Sequence, residues 1–220
     1  MIKTIFFDAA GTLFHLPRGV GWHYRDVASR FGCSLDEDTL SHAFRTAWKQ
    51  MPDCSTTRQP RPDDDKGWWF TLVGQVLDDC QVPPQQLDRE AYFETLYHEF
   101  TRPQVWELFP EVHDTLSALS PRFRLGLISN FDGRLRPILT DLGILPYFDP
   151  LIISSEVGAD KPDPWIFQQA LSRAGANPAE ALHVGDEPRG DWQGAAQAGL
   201  KVFQLDRPKN SLRDLLTDLA

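Results

Sequence analysis

The feature that most constrains this chain is a strand pattern at its very start whose partners lie only in its second half. Ile2 to Phe7 is apolar and β-rich and stops at Asp8, with Gly11 close behind. That predicts a buried strand followed by a turn. No convincing strand recurs before Pro103. Past it, strand and helix patterns alternate. The apolar periodicity predicts helices over Val112–Leu119, Leu135–Leu142, Pro164–Ala174, Trp192–Ala198 and Leu212–Leu219. Between them it predicts strands over Arg124–Ser129, Leu151–Ser154, Ala181–Val184 and Val202–Leu205. Pro164 suits the first position of its helix, and Gly199 suits a helix C-terminus.

Alternation of this kind implies a parallel sheet covered by helices on both faces. Before Pro103, helical patterns run near Tyr24–Phe31, Asp36–Lys49, Gly67–Leu77 and Gln85–Phe100, and a Pro/Asp/Arg-rich loop spans Met51 to Lys66. The expected fold is therefore α/β: a Rossmann-like parallel-sheet core over 1–15 and 103–220, interrupted by an inserted α-helical cap over 16–102. At 220 residues, with 41% hydrophobic residues, the chain is long enough for a sizeable core and a smaller second domain.

Composition removes several function classes. Net charge is −9 and the pI about 5.1. No Lys/Arg run offers the basic face a nucleic-acid binder needs. The apolar start is broken at Asp8, which argues against a signal peptide or a membrane span. Cys33, Cys54 and Cys80 are odd in number and form no CxxC pair, so they read as free thiols of a cytoplasmic protein. The six histidines show no HxxxH or HxH spacing that would suggest zinc.

In open parallel sheets, ligands bind beyond the C-terminal ends of the strands. Four such ends carry polar groups: Asp8 in DAAGTLF, Ser129-Asn130 in LISN, Lys161 in KPDP, and Asp186 with Asp191 in VGDEPRGD. Together they suit one chemistry. A carboxylate such as Asp8 can attack phosphorus and form an acyl-phosphate. Its repulsion by the phosphoryl anion must be neutralised, and Mg²⁺ bound by the oxygens of Asp8, Asp186 and Asp191 would do so. Ser129 can donate to a phosphoryl oxygen, and Lys161 can place a positive charge beside both groups. Gly11 and Thr12 allow the backbone to pass close to the substrate, with their amides facing its oxygens.

This ordered set resembles the haloacid dehalogenase superfamily. The resemblance covers the first strand and its turn and essentially everything after Pro103. SNFDGRL and the paired Trp of the cap resemble a narrower subgroup of it. The resemblance implies a hydrolase with Asp8 as nucleophile. Ser129 and Lys161 would be catalytic. Gly11, Thr12, Ser129, Asn130 and Lys161 would bind the phosphate, and Asp8, the Ala10 carbonyl, Asp186 and Asp191 would hold the metal. The expected activity is release of phosphate from a small phosphorylated metabolite, without nucleic-acid or membrane partners.

One departure stands out. Phosphatases of this superfamily carry a second Asp two residues after the nucleophile as general acid/base, and here that residue is Ala10. The loss removes an effect typically worth about 10²–10⁴-fold. His15 and His23 are the nearest replacements in sequence. The same Ala10 also fits a dehalogenase or a phosphonate hydrolase, the latter needing a cap lysine such as Lys49 or Lys66. It further fits a binding protein that has lost turnover. Other features have structural readings: Trp68-Trp69-Phe70 as helix packing, Asp63–Asp65 as a solvated loop, Asp132 and Arg134 as a helix start, and Asp191 as a helix N-cap.

Overall fold

The computed structural model, which describes every residue except Ser55, Pro208 and Ala220, begins with β1 (Thr4–Phe7) and a short β2 (Phe14–His15). Four helices follow: α1 (Gly19–Arg30), α2 (Glu37–Gln50), α3 (Lys66–Asp79) and α4 (Arg89–Glu99). The chain then alternates through β3 (Glu107–Leu108), α5 (Val112–Leu119), β4 (Arg124–Ser129), α6 (Leu135–Asp141), β5 (Leu151–Ile153), α7 (Ser154–Val157) and α8 (Pro164–Ala174). It closes with β6 (Ala181–Gly185), α9 (Gly194–Gln197), β7 (Lys201–Gln204) and α10 (Leu212–Asp218). Among the described residues no helix is long and apolar enough to cross a membrane.

Five strands form one parallel sheet in the order β5-β4-β1-β6-β7. The fold is the expected α/β, Rossmann-like architecture. β1 is buried along its length, which is why it reads as an unbroken apolar run rather than an alternating one. From β1 the chain builds outward to β4 and β5 on one side and only later to β6 and β7 on the other. The order therefore reverses around β1, where α/β sheets open a crevice for ligands. Phe7 is level with Leu127 and Val184, so Asp8 emerges beside the ends of β4 and β6. α8 and α9 cover one face, where Phe167, Ala170 and Ala195 pack with Phe6, Ile128 and Ile152.

The chain divides into two compact units: Met1–His15, Ser55–Asp64 and Glu107–Ala220 form the core, and Leu16–Cys54 with Asp65–Trp106 form the cap. The division departs from an uninterrupted 16–102 insertion at two places. The 56–64 segment lies with the core because Thr57 and Arg58 donate backbone N–H groups to the Gly158 carbonyl and Arg61 donates to Ser155. Residues 103–106 stay with the cap, where the Trp106 indole donates to the Phe100 carbonyl at 2.8 Å. At the stem, β2 and β3 pair antiparallel, Phe14 opposite Leu108.

The regular elements of the cap are all helices among its described residues. Asp36 and Asp88 cap α2 and α4 by accepting from the Thr39 and Ala91 amides. Its interior gathers Val27, Leu40, Leu72, Val76, Leu77 and Leu96 around Tyr24 and Tyr92. The Tyr92 hydroxyl donates to the Tyr24 carbonyl at 3.1 Å. Trp68 and Trp69 pack edge-on and tilted against Trp48, with centroids 5.3 and 5.8 Å away, so these rings join helices as expected.

Candidate active site

The turn after β1 places the first functional group. Gly11 adopts φ +90°, and a Cβ there would stand 2.5 Å from Asp186 Oδ2. Only glycine lets the backbone pass this close to the half-buried Asp186 carboxylate. Thr12, fully buried, donates its hydroxyl to Asp186 Oδ1 at 2.8 Å. The DAAGT turn thus seats Asp186, the residue that follows β6. One oxygen from each of Asp8, Asp186 and Asp191 lies within 4.8 Å of the others.

Lys161 joins two of these carboxylates. Its Nζ donates to Asp8 Oδ1 at 2.5 Å and to Asp191 Oδ1 at 2.6 Å, and all three side chains are buried. Asn130 fixes the lysine from behind. Its Oδ1 accepts from the Lys161 backbone N–H at 2.6 Å, and its Nδ2 donates to the Lys161 carbonyl at 2.9 Å. Ser129 lies buried at the end of β4, the strand beside β1.

Burial pushes the Asp8 carboxyl up to about 7, against the opposing pull of Lys161 and with help from the charges of Asp191 and Asp186. Burial also raises Asp186, with Thr12 opposing. For Asp191, burial disfavours the charge, yet Lys161 and His183 outweigh it and hold the carboxyl below its usual range. Lys161 is raised: burial opposes its charge, and Asp8 with Asp191 prevails. Three ionised carboxylates against one ammonium would leave the cluster with a formal excess of two negative charges. A hard, oxygen-seeking divalent cation offsets that excess, so the donor set fits Mg²⁺.

Several expected roles change. The Gly11 amide donates to the Phe14 carbonyl at 2.8 Å and the Thr12 amide to Ala9 at 3.3 Å, so both serve the turn rather than face a substrate. The side-chain amide of Asn130, expected at the phosphate, holds the Lys161 backbone. Asp191 is not a helix N-cap. It lies within a π-helical turn, Pro188–Gln193, which Glu187 caps by accepting from the Arg189 and Gly190 amides. Asp191 Oδ2 accepts from the Glu187 N–H at 3.0 Å. Ala10 forms a bridge with Phe14 in the turn. The histidines near the nucleophile in sequence are placed by packing. His15 stacks on Phe109 with centroids 4.7 Å apart. His23 is buried in the cap between Trp22 and Phe100, its Nδ1 3.7 Å from a Glu99 oxygen.

Two groups escaped sequence reasoning. His183, fully buried in β6, meets Asp191 Oδ1 through Nε2 at 2.8 Å. Burial outweighs Asp191 and lowers its pKa, which favours the neutral ring, and a neutral ring facing the Asp191 carboxylate would donate from Nε2. Within ALHVG it looks like one more core position; only its place two residues before Gly185, on a strand leading to the acidic motif, hinted at more. Asp64 belongs to an acidic run that reads as solvated, yet it accepts from the Gly133 N–H at 2.7 Å and the Ser155 hydroxyl at 2.5 Å.

Residues 2–199 match the model of a hydrolase family, the haloacid dehalogenase-like hydrolases. The haloacid dehalogenase-like hydrolase domain-containing protein 3 of Danio rerio is 34% identical over 209 residues, covering 94% of this chain and 86% of the relative. Among solved structures, the HAD-hydrolase YfnB of Bacillus subtilis, bound to magnesium, superposes with a TM-score of 0.78 at 19% identity, covering 99% and 98% of the two chains. The defluorinating L-2-haloacid dehalogenase Rha0230 also gives 0.78, at 21% identity over 94% of this chain and 82% of its own.

Proposed function

The chain belongs to the haloacid dehalogenase-like hydrolase family, and from that premise we propose that it is a cytoplasmic, Mg²⁺-dependent phosphomonoesterase acting on a small phosphorylated metabolite through Asp8. The observation behind this reading is the charge of the cluster. Three carboxylates meet within 4.8 Å around one lysine, a deficit of positive charge that a divalent cation makes good. Asp8, Asp186 and the Ala10 carbonyl would hold the ion. Asp191 already accepts from Lys161, His183 and the Glu187 amide and serves chiefly to seat the lysine. When bound, the ion neutralises charge on the phosphoryl group and lets two anions approach.

In the first step a carboxylate oxygen of Asp8 forms a bond to phosphorus while the ester P–O bond breaks, and its electron pair leaves with the departing oxygen. Lys161 pulls the Asp8 carboxyl toward its ionised form against burial and faces the incoming anion, and the Ser129 hydroxyl donates to a phosphoryl oxygen. Water then attacks phosphorus, the bond from phosphorus to the Asp8 oxygen breaks, and its electron pair returns to the Asp8 carboxylate while inorganic phosphate leaves carrying the water's protons. With Ala10 there is no carboxyl two residues on to protonate the leaving oxygen. This favours esters whose leaving group departs as a stable anion. A phosphate-release screen with and without Mg²⁺ tests the reading. Release that depends on Mg²⁺ supports it, and release of equal rate in chelator contradicts it.

Ala10 supports a second reading. Displacement of halide from a 2-haloacid by Asp8 needs no proton donor at that position. Halide release in chelator, with no phosphate release under any condition, would favour it. A phosphonate-cleaving role has less support, because Lys66 pairs with Glu94 at 2.8 Å and Lys49 is exposed. A silent binding protein would hold phosphate esters tightly and form no product at high enzyme concentration.

A further inference from the structure

The 56–64 segment interrupts the cap in sequence, between α2 and α3, yet it folds as part of the core. It lies along 155–163, the stretch that carries Lys161, and grips it repeatedly. Thr57 and Arg58 donate backbone N–H groups to the Gly158 carbonyl at 2.8 and 3.0 Å, and the Arg61 N–H donates to Ser155 at 2.8 Å. The Thr56 hydroxyl donates to Asp163 at 3.2 Å. The contact is close enough that Gly158, at φ +67°, has no room for a Cβ, which would collide with the Gln59 carbonyl.

Two side chains do more than touch. Arg61, its side chain 7% exposed, forms a forked pair with Asp160, its two terminal nitrogens donating at 3.3 and 2.9 Å. Asp160 immediately precedes Lys161. At the far end Asp64 joins Gly133, after β4, to Ser155, after β5. Arg58 and Asp64 hold left-handed φ of 55° and 51°, a conformation that non-glycine residues keep only where surroundings impose it. A planar guanidinium forked onto a carboxylate fixes orientation as well as distance. The Lys161 stretch is thus held by Asn130 at the Lys161 backbone and by Arg61 at Asp160.

We infer that the 56–64 segment is a strap that positions Lys161, with Arg61 as its positioning residue through Asp160. A purely structural strap would affect stability alone. A positioning strap must affect turnover, because a lysine 2.5 Å from one carboxylate and 2.6 Å from another loses both contacts with a small displacement. Misplacement of about 1 Å can cost on the order of 10²-fold in rate. The inference rests on the reading that Lys161 serves Asp8 in hydrolysis. It adds that the loop between two cap helices sets the lysine's place.

The test uses the full chain with Arg61→Met, Arg61→Lys and Asp64→Ala. Hydrogen–deuterium exchange, read without substrate, should show faster exchange over 154–163 in Arg61→Met, with α1 and α4 unchanged. In phosphate release, Arg61→Met should lower kcat by roughly 10- to 100-fold with KM within about threefold. Arg61→Lys, which keeps the charge and one contact, should recover part of the loss. Asp64→Ala should loosen 131–133 and 154–157 with a smaller effect on kcat. Wild-type exchange over 154–163 in Arg61→Met overturns the inference, as does faster exchange with kcat unchanged. If the wild-type chain releases no phosphate from any ester, the phosphatase reading falls, while the exchange measurement still decides whether the strap holds the Lys161 stretch.

Discussion

Binding of Mg²⁺ to this cluster should compete with a proton. In the metal-free protein the Asp8 carboxyl is pushed up to about 7, first by burial and then by the neighbouring charges of Asp191 and Asp186, with Lys161 pulling the other way. A cation that uses an Asp8 oxygen must displace that proton. Above about pH 7 the proton is already gone and affinity reaches a plateau. Each unit below costs about 1.4 kcal/mol, so affinity falls about tenfold by pH 6 and about a hundredfold by pH 5. Asp186 is also raised, which steepens the slope at the acid end. The same shift acts on stability. The folded pKa lies above the ordinary carboxyl value of 3.8, so between the two the metal-free folded state binds more protons than the unfolded one. This contribution is full below the unfolded value and is lost as pH rises through about 7. Stabilisation by Mg²⁺ should therefore be largest above neutrality. Isothermal titration in two buffers of different ionisation heat measures both affinity and proton release. About one proton per ion should appear near pH 6 and almost none near pH 8.5. Affinity that stays flat from about pH 5.5 to 7.5, or weakens as pH rises, would show that Mg²⁺ does not compete with a proton on Asp8.

Other outcomes follow from single contacts. Gly11→Ala would set a Cβ 2.5 Å from Asp186 Oδ2 in a backbone at φ +90°. It should weaken Mg²⁺ binding by about tenfold or more, measured by titration, while the circular-dichroism spectrum stays native. His183→Leu removes a buried donor to an ionised carboxylate. It should lower unfolding free energy in urea by about 1.5–3 kcal/mol, and His183→Gln should lose less. Ala10→Asp supplies a carboxyl beside the nucleophile and should raise phosphate release on esters with poor leaving groups. An unchanged rate on those substrates would count against a missing proton donor.

Much of the core was legible because local and global preferences agree there. Arg124–Ser129 and Pro164–Ala174 occur as expected to the residue. The first is an apolar run too short for a helix. The second begins at a proline, with Asp163 accepting from the Trp165 amide just before it. Legibility fails where structure depends on distant partners. β2 and β3 are two residues each and exist only through each other. α1 starts at Gly19, earlier than its apolar periodicity suggests, because its first turn is half-exposed. The helix expected from Trp192 is instead a π-helical turn and a short α9, since Asp191 must turn inward to Lys161 and His183.

The site divides the same way. Asp8, Ser129, Lys161, Asp186 and Asp191 stand at strand ends and turns that the apolar runs predict. What joins them does not follow from those runs. Thr12 holding Asp186, Asn130 holding the Lys161 backbone and Asp64 crossing to Gly133 span from 31 to 174 positions in sequence. No local pattern encodes such pairs, and an acidic run such as Asp63–Asp65 looks solvated until the fold supplies its partners.

The most direct test is whether phosphorus is ever bonded to Asp8. The chain is mixed with excess substrate and Mg²⁺, quenched in acid during turnover and mapped by mass spectrometry. A nucleophilic Asp8 leaves one added phosphoryl group on the peptide that contains it, absent in Asp8→Asn along with phosphate release. Phosphate release that persists undiminished in Asp8→Asn, with no phosphoryl group on that peptide, would contradict it.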